Sequence, residues 1–192
     1  KVILCPNADW MQGPLEQAFS DLARIVPVAL GIDPVWYGIE REIDESTPRW
    51  LAVTRLPADK LGPLFEWSAP LFAGGARELH LFGPMQEDIQ VPDWVHYHGA
   101  ATPRQLADDW FGRAHGLITL SKHAEGRPQV MLEAMASGLP IVASDMPAHS
   151  GLVKHGETGL LCGDSAGYAD AISRLEDIST NAAYGETSRS WA

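Results

Sequence analysis

No Asp-x-Asp pair occurs anywhere in this 192-residue chain, which removes the commonest carboxylate signature for a metal-bridged diphosphate. Neither G-x-G-x-x-G nor G-x-x-x-x-G-K-[ST] is present, so the two best-known phosphate loops are missing. Cysteine is scarce: Cys5 and Cys162 stand far apart, match no metal or redox spacing, and suit a reducing compartment. Long apolar runs are absent as well. The longest, Ile25 to Ile32, is broken by Pro27, too short for a membrane span. Positive charge is in deficit, with 14 Lys and Arg against 25 Asp and Glu and a net charge of −11. That balance argues against a nucleic-acid face and against attraction to anionic lipid, but leaves room for a local basic pocket. No internal repeat or low-complexity tract is visible. The chain opens on Lys1 with neither Met nor a signal-peptide pattern, as expected of a fragment or a processed protein.

What is there is an alternation of two patterns. Strand-like apolar runs occur at Val2–Cys5, Ile25–Leu30, Trp50–Thr54, Glu78–Phe82, Val95–His98, Gly116–Leu120, Ile141–Ala143 and Gly159–Cys162. Helical patterns fall at Pro14–Ala23, Asp59–Ala69, Pro103–Ala114, Gln129–Ser137 and Ser165–Ile178. Continuous apolar strands imply a sheet covered on both faces. Strand–helix alternation implies an α/β fold with a doubly wound, Rossmann-like parallel sheet, whose ligands sit at the carboxyl ends of the strands near the switch in strand order. GIDPVWYGIEREIDESTP carries charges, prolines and glycines without a clear period and reads as a linker over 31–48. It leaves residues 1–30 as a separate piece, 49–180 as the main domain, and 181–192 as a C-terminal helix or tail.

The richest stretch is EGRPQVMLEAMASGLPIVAS, from Glu125 to Ser144. Pro128 suits a helix start, where its missing N–H costs nothing. Good helix formers follow, then Gly138 as the stop, then Pro140 and a buried strand. A helix starting near Gln129 leaves unpaired amides and a partial positive charge at its first turn, natural partners for phosphate oxygens. Glu125 and Glu133 flank that start and suit hydroxyl donors. A ligand with an anionic part and several hydroxyls, such as a nucleotide sugar, fits this arrangement. An ordinary helix with a solvated Glu133 is the plain alternative.

Arg55 and Lys60 follow the Trp50–Thr54 run; two cations at a strand's carboxyl end suit a diphosphate, or are two solvated surface residues. Gly83 and Gly99 follow strand-like runs and permit close backbone approach, or are plain turns. His96 and His98 alternate on one strand and share a face without a third ligand in view, so structural histidines are the better reading. His123, two residues before Glu125, lines the same pocket. Seven tryptophans suit core packing before sugar stacking.

Taken together, VTRLPADKLG, LHLFGP, VHYHGAAT, LITLSKHAEGRPQVMLEAMASGLPIVAS, VKHGETGLLC and GIDPVWY resemble, in the right order over about residues 25 to 180, the C-terminal half of the family 4 (group 1) glycosyltransferases of GT-B fold. The resemblance implies a donor-binding domain of a retaining glycosyltransferase. Arg55 and Lys60 would neutralise the donor diphosphate, Glu133 would hold the ribose, and Glu125 the transferred sugar. The backbone of Gly126, Arg127 and Pro128 would hold sugar and phosphate, with Gly83 and Gly99 near base or diphosphate. On that division, losing Glu133 weakens nucleotide binding with or without the sugar, while losing Glu125 leaves bare diphosphate binding nearly intact. The family generally needs no metal, and no cofactor is implied beyond the donor as substrate. A cytoplasmic or membrane-peripheral setting and a missing N-terminal lobe are implied too, with residues 1–30 as its remnant, so the chain alone would transfer no sugar. Departures are Thr54 in place of the family's usual Gly, Leu61 before a delayed Gly62, and Arg127, a position bearing on sugar preference. A non-catalytic nucleotide-binding or scaffold domain remains the second reading. A dinucleotide oxidoreductase is disfavoured by the absent glycine fingerprint.

Overall fold

The computed structural model describes residues 2–29, 31–43, 46–123 and 125–192. It opens with a small βαβ unit. Strands β1 (Val2–Leu4) and β2 (Ala23–Ile25) pair in parallel around α1 (Gln12–Phe19). The run expected over Ile25–Leu30 therefore starts and ends earlier; Pro27 has no N–H for a ladder, and Leu30 lies outside the described residues. The segment that follows is anchored by a 3₁₀ turn, Pro34–Gly38, capped by Asp33, whose Oδ1 accepts from the Val35 amide at 3.0 Å. Trp36 in that turn is 2% exposed and packs on Phe111 with ring centroids 5.0 Å apart.

The main sheet has six parallel strands: β3 (Arg49–Val53), β4 (Glu78–Phe82), β5 (Val95–Tyr97), β6 (Gly116–Thr119), β7 (Ile141–Ser144) and β8 (Gly159–Cys162), in the order β5-β4-β3-β6-β7-β8. The chain winds outward from β3 to β5, returns to the middle as β6, and winds outward the other way. The switch point thus lies between β3 and β6. Alternation along β3 shows why both faces need cover. Trp50 and Ala52 join one core with Leu79, Leu81, Ile118 and Tyr168, while Leu51 joins the other with Phe82, Leu117, Met131 and Met135. A strand buried on both sides reads as an unbroken apolar run.

The helices over these faces are α2 (Ala58–Leu61), α3 (Leu64–Phe72), α4 (Pro103–Gln105), α5 (Gln129–Ala136), α6 (Pro147–Ser150), α7 (Ser165–Glu176) and α8 (Ile178–Trp191). Three depart from the sequence pattern. The expected helix Asp59–Ala69 breaks at Gly62, which takes φ +54°, and a Cβ there would lie 2.1 Å from the Leu120 carbonyl oxygen. Pro103–Ala114 begins helical behind a Thr102–Gln105 capping box, then widens into a π turn at Leu106–Trp110 and tightens to a 3₁₀ turn at Phe111–Arg113. Ser165–Ile178 ends at Asp177, whose carboxylate accepts from the Thr180 amide at 2.8 Å and starts α8, continuous across residue 180. Among the described residues no helix is long and apolar enough to cross a membrane.

Candidate functional site

The carboxyl ends of β3 and β6 bring two segments together. After β3 the chain runs through Thr54 and Arg55 into α2, which carries Asp59 and Lys60. After β6 it runs through Ser121 and His123 to Glu125 and α5. The Lys60 ammonium, 11% exposed, is paired with the Glu125 carboxylate, 22% exposed. One residue before Lys60 and two before Glu125, Asp59 Oδ2 meets His123 Nδ1 at 2.6 Å, and the Lys122 amide donates to the Asp59 carbonyl at 2.8 Å. The His123 contact holds the Asp59 carboxyl below its usual range. Three contacts therefore fasten α2 to the loop that carries Glu125. Behind them, Ser144 Oγ donates to the Ser121 carbonyl at 2.7 Å, and His149, 1% exposed, donates from Nδ1 to the Ser144 carbonyl at 2.9 Å. Burial pushes the His149 imidazole down against the raising effects of the Ser144 carbonyl and Glu125.

Helix α5 begins where the sequence places it. Pro128 is the extended residue before Gln129, and Gly138 ends the helix at φ +68°. Its far end is held by two cations. Arg189 donates to the Ser137 carbonyl at 2.7 Å, and Arg41 to the carbonyls of Gly138 and, at 2.7 Å, Ala114. Cations at a helix C-terminus complement its dipole. Glu133 sits on this helix, half-buried, and burial pushes its carboxyl up to about 7 against the opposing Gln129 hydrogen bond. Arg55 is exposed and pairs with no described residue. Gly83 and Gly99 lie together at the ends of β4 and β5, the Gly83 amide donating to the Gly99 carbonyl at 2.7 Å, and Tyr97 Oη donates to the Gly83 carbonyl at 2.9 Å.

The structure thus brings Lys60 and Glu125 into contact and sets Glu133 one element along. Gly126 and Pro128 continue the Glu125 loop. Arg127, with Gly126 beside it, also lines a cavity shared with Trp10 and Lys154, which neither Lys60, Glu125 nor Glu133 borders. Asp59, Ser144 and His149 escaped the sequence reading. The signal for Asp59 was its offset: it neighbours Lys60 as His123 neighbours the Glu125 loop.

His96 and His98 do share a face, with His80 of β4. The three rings stack, His80 to His96 at 4.8 Å and His80 to His98 at 5.2 Å, and His80 Nδ1 lies 2.9 Å from His98 Nε2. Among the described residues no three His, Cys, Asp or Glu side chains converge so as to hold a metal ion. His80 is 7% exposed, and burial pushes it from 6.5 down to about 4 against the raising effect of Glu78.

Glu133 and His80 give opposite pH dependences. The folded chain holds a proton on Glu133 between its ordinary 4.5 and about 7 where the unfolded chain does not, so this group's contribution to stability falls as pH rises. For His80 it is the unfolded chain that holds the extra proton, between about 4 and 6.5, so that contribution rises with pH. Glu133→Gln is expected to remove the first and leave the second. Its stability relative to the parent should climb by up to ~1.4 kcal/mol per pH unit across the Glu133 window. Urea unfolding of both proteins at several pH values measures this, and a difference constant with pH contradicts it.

Residues 51–177 match the family model for glycosyl transferases group 1. The chain is 35% identical over 126 residues to an exopolysaccharide phosphotransferase of Streptomyces coelicolor, covering 62% of this chain and 13% of that protein. It is 37% identical over 92 residues to the D-inositol 3-phosphate glycosyltransferase of Acidothermus cellulolyticus, covering 47% and 20%. Among solved structures, sucrose-phosphate synthase from Thermosynechococcus elongatus matches with a TM-score of 0.82 at 21% identity, over 98% of this chain and 52% of that one. Anabaena HepE in complex with UDP and glucose matches with a TM-score of 0.78 at 18% identity, over 98% and 57%. The chain therefore spans little more than half the length of these solved proteins, and a fifth or less of these two curated relatives. Its fold is the Rossmann-like C-terminal half of a GT-B glycosyltransferase.

Proposed function

This chain belongs to the group 1 glycosyl transferases, and from that premise we propose that its switch-point crevice holds the diphosphate and ribose of a nucleotide-sugar donor. The observation that carries the reading is the Lys60–Glu125 pair. A largely buried ammonium is held at the carboxyl ends of β3 and β6 by a carboxylate, beside the first turn of α5. That is a site prepared for negative charge in a chain of net charge −11.

In this reading Lys60, Arg55 and the first amides of α5 take the diphosphate, Glu133 takes the ribose hydroxyls, and Glu125 turns to the transferred sugar. Gly126 and Pro128 supply backbone to sugar and phosphate, with Gly83 and Gly99 toward the base. As the glycosidic bond lengthens, negative charge gathers on the leaving diphosphate. Preorganised cations and amides stabilise that charge more than they stabilise the ground state. The positive charge this requires comes from the side chains, so a metal has no necessary part. Transfer proceeds with retention of anomeric configuration. The Anabaena protein solved with UDP and glucose makes uridine diphosphate the first nucleotide to try.

The acceptor belongs to a whole enzyme with an N-terminal lobe. The exposed apolar residues of the small β1–β2 unit, Val2 at 64%, Ile3 at 59% and Leu22 at 70%, support its continuation into a larger sheet. Donor and acceptor must be held in near-attack geometry, so the 192 residues alone are inactive in transfer. Donor binding is testable on the chain itself. Calorimetry should show UDP binding at least ~10-fold tighter than uridine, or GDP than guanosine, from charge-assisted contacts of ~1.5–3 kcal/mol each. Equal affinities for diphosphate and nucleoside would remove the reading.

A further inference from the structure

Arg127 presents an unsolved cost. Its Nε is shut off from solvent without a hydrogen-bond partner, and among the described residues no carboxylate pairs with its guanidinium. A buried donor without a partner is unfavourable, and none of the described residues supplies the acceptor. The side chain lines a cavity of about 400 Å³ whose other walls include Trp10, Ser150, Lys154 and Trp191, with Asp9 as the one carboxylate among its described lining residues. Neither Lys60, Glu125 nor Glu133 borders it.

The walls are fixed in place. The Trp10 indole N–H donates to the Gly126 carbonyl at 2.9 Å. A Cβ on Gly126 would lie 1.9 Å from Asn7 Oδ1, so the N-terminal segment is pressed onto the loop. Also in the lining, the Lys154 ammonium sits 3.4 Å from the centroid of the Trp191 ring and 3.9 Å from the exposed Glu157 carboxylate. Two cations and two partly exposed tryptophans, 36% and 53%, therefore enclose one space. A guanidinium fork suits a planar or tetrahedral oxyanion, and aromatic walls suit the apolar face of a ring.

We propose that this cavity is a second ligand site, which recognises a phosphate or carboxylate borne on a small ring-containing molecule distinct from the donor. Arg127 and Lys154 hold the anion, and Trp10 and Trp191 contact its carrier. The assignment uses none of the donor site's side chains, although Gly126, whose backbone the donor reading uses, lines the cavity as well. It does share one loop with it: Glu125 meets Lys60 on one side, and Arg127 meets the cavity on the other.

The test is calorimetric titration of the chain with inorganic phosphate, glucose 6-phosphate and UDP, in parent and in Arg127→Gln, Lys154→Met and Lys60→Met variants whose melting curves confirm folding. Phosphate is expected to bind in the millimolar range and glucose 6-phosphate more tightly. Arg127→Gln should weaken both by at least ~10-fold and Lys154→Met by a few-fold, as loss of charge-assisted contacts requires, while Lys60→Met leaves both unchanged. Phosphate should bind equally well to chain saturated with UDP. If UDP displaces phosphate, or Lys60→Met abolishes its binding, the anion belongs to the donor's own diphosphate and the proposal fails. It fails too if phosphate does not bind at all, or binds the Arg127 and Lys154 variants as it binds the parent. Should Arg127→Gln not fold, the Lys154 variant decides alone.

Discussion

Gly83→Ala should destabilise the domain by roughly 3–5 kcal/mol, among the largest effects a single substitution produces, whereas Gly99→Ala should cost only ~1 kcal/mol. Both glycines take positive φ, +143° and +72°. They differ in what a side chain would meet. A Cβ on Gly83 would lie 1.6 Å from the Thr54 carbonyl oxygen, a backbone atom of the neighbouring strand end, while a Cβ on Gly99 meets nothing within 4 Å. Accommodating Ala at 83 therefore means pulling the end of β4 away from β3, where the Thr54 amide donates to the Phe82 carbonyl at 2.9 Å. Urea midpoints of the two variants measure the contrast, and equal midpoints would refute it. The comparison also separates two reasons for having glycine. Gly83 is required by the sheet itself, ligand or none. Gly99 leaves open space beside it, so a variant there should affect nucleotide binding more than stability.

Removing Lys60 and removing Glu125 should have opposite effects on diphosphate binding. Glu125 holds the Lys60 ammonium, so on the proposed reading a diphosphate displaces a carboxylate as it gains the cation. Lys60→Met should lower UDP affinity by ~10- to 150-fold, the equivalent of ~1.5–3 kcal/mol for a charge-assisted contact. Glu125→Gln removes the competitor and should raise UDP affinity several-fold. The double variant should bind like Lys60→Met alone, since the two side chains act through one contact. Affinities come from calorimetry at low salt. An Glu125→Gln variant that binds UDP no better than the parent shows that the pair does not compete with the ligand. The sequence alone suggested that Glu125 would be indifferent to bare diphosphate. The expectation of an exchange comes from the side-chain pairing.

The strands Glu78–Phe82 and Gly159–Cys162 can be read from the sequence residue for residue, because each is a short strand-like pattern with turn-forming residues close by. The start and stop of α5 are equally legible from Pro128 and Gly138. Helix α8 is less so, read only as a C-terminal helix or tail over 181–192, because the residues it buries include Asn181, Gly185 and Ser188, which give no apolar periodicity. Asn181 earns its burial by donating to the carbonyls of His115 and Leu175, both at 2.7 Å. The break at Gly62 is a matter of a carbonyl on another strand end. Candidate residues of the site could be named singly, but Lys60 and Glu125 are 65 positions apart, and their meeting depends on β3 lying beside β6. The placement of Arg127 depends in turn on Asn7 and Trp10, more than a hundred residues earlier.

The central position of β6 also sets the order in which the domain can be made. Strand β3 pairs with β4 from residue 78 onward, but its other edge waits for β6, with Trp50 opposite Gly116. A parallel pairing across so long a loop is slow to form. During synthesis, a chain that has emerged as far as β5 carries half a sheet, with Trp50, Leu51 and Ala52 on an open edge and no partner yet available. Such an edge is a template for another chain. The residues between β5 and β6 are therefore the span over which a ribosomal pause is most hazardous, and over which a chaperone holding the nascent chain should raise soluble yield most.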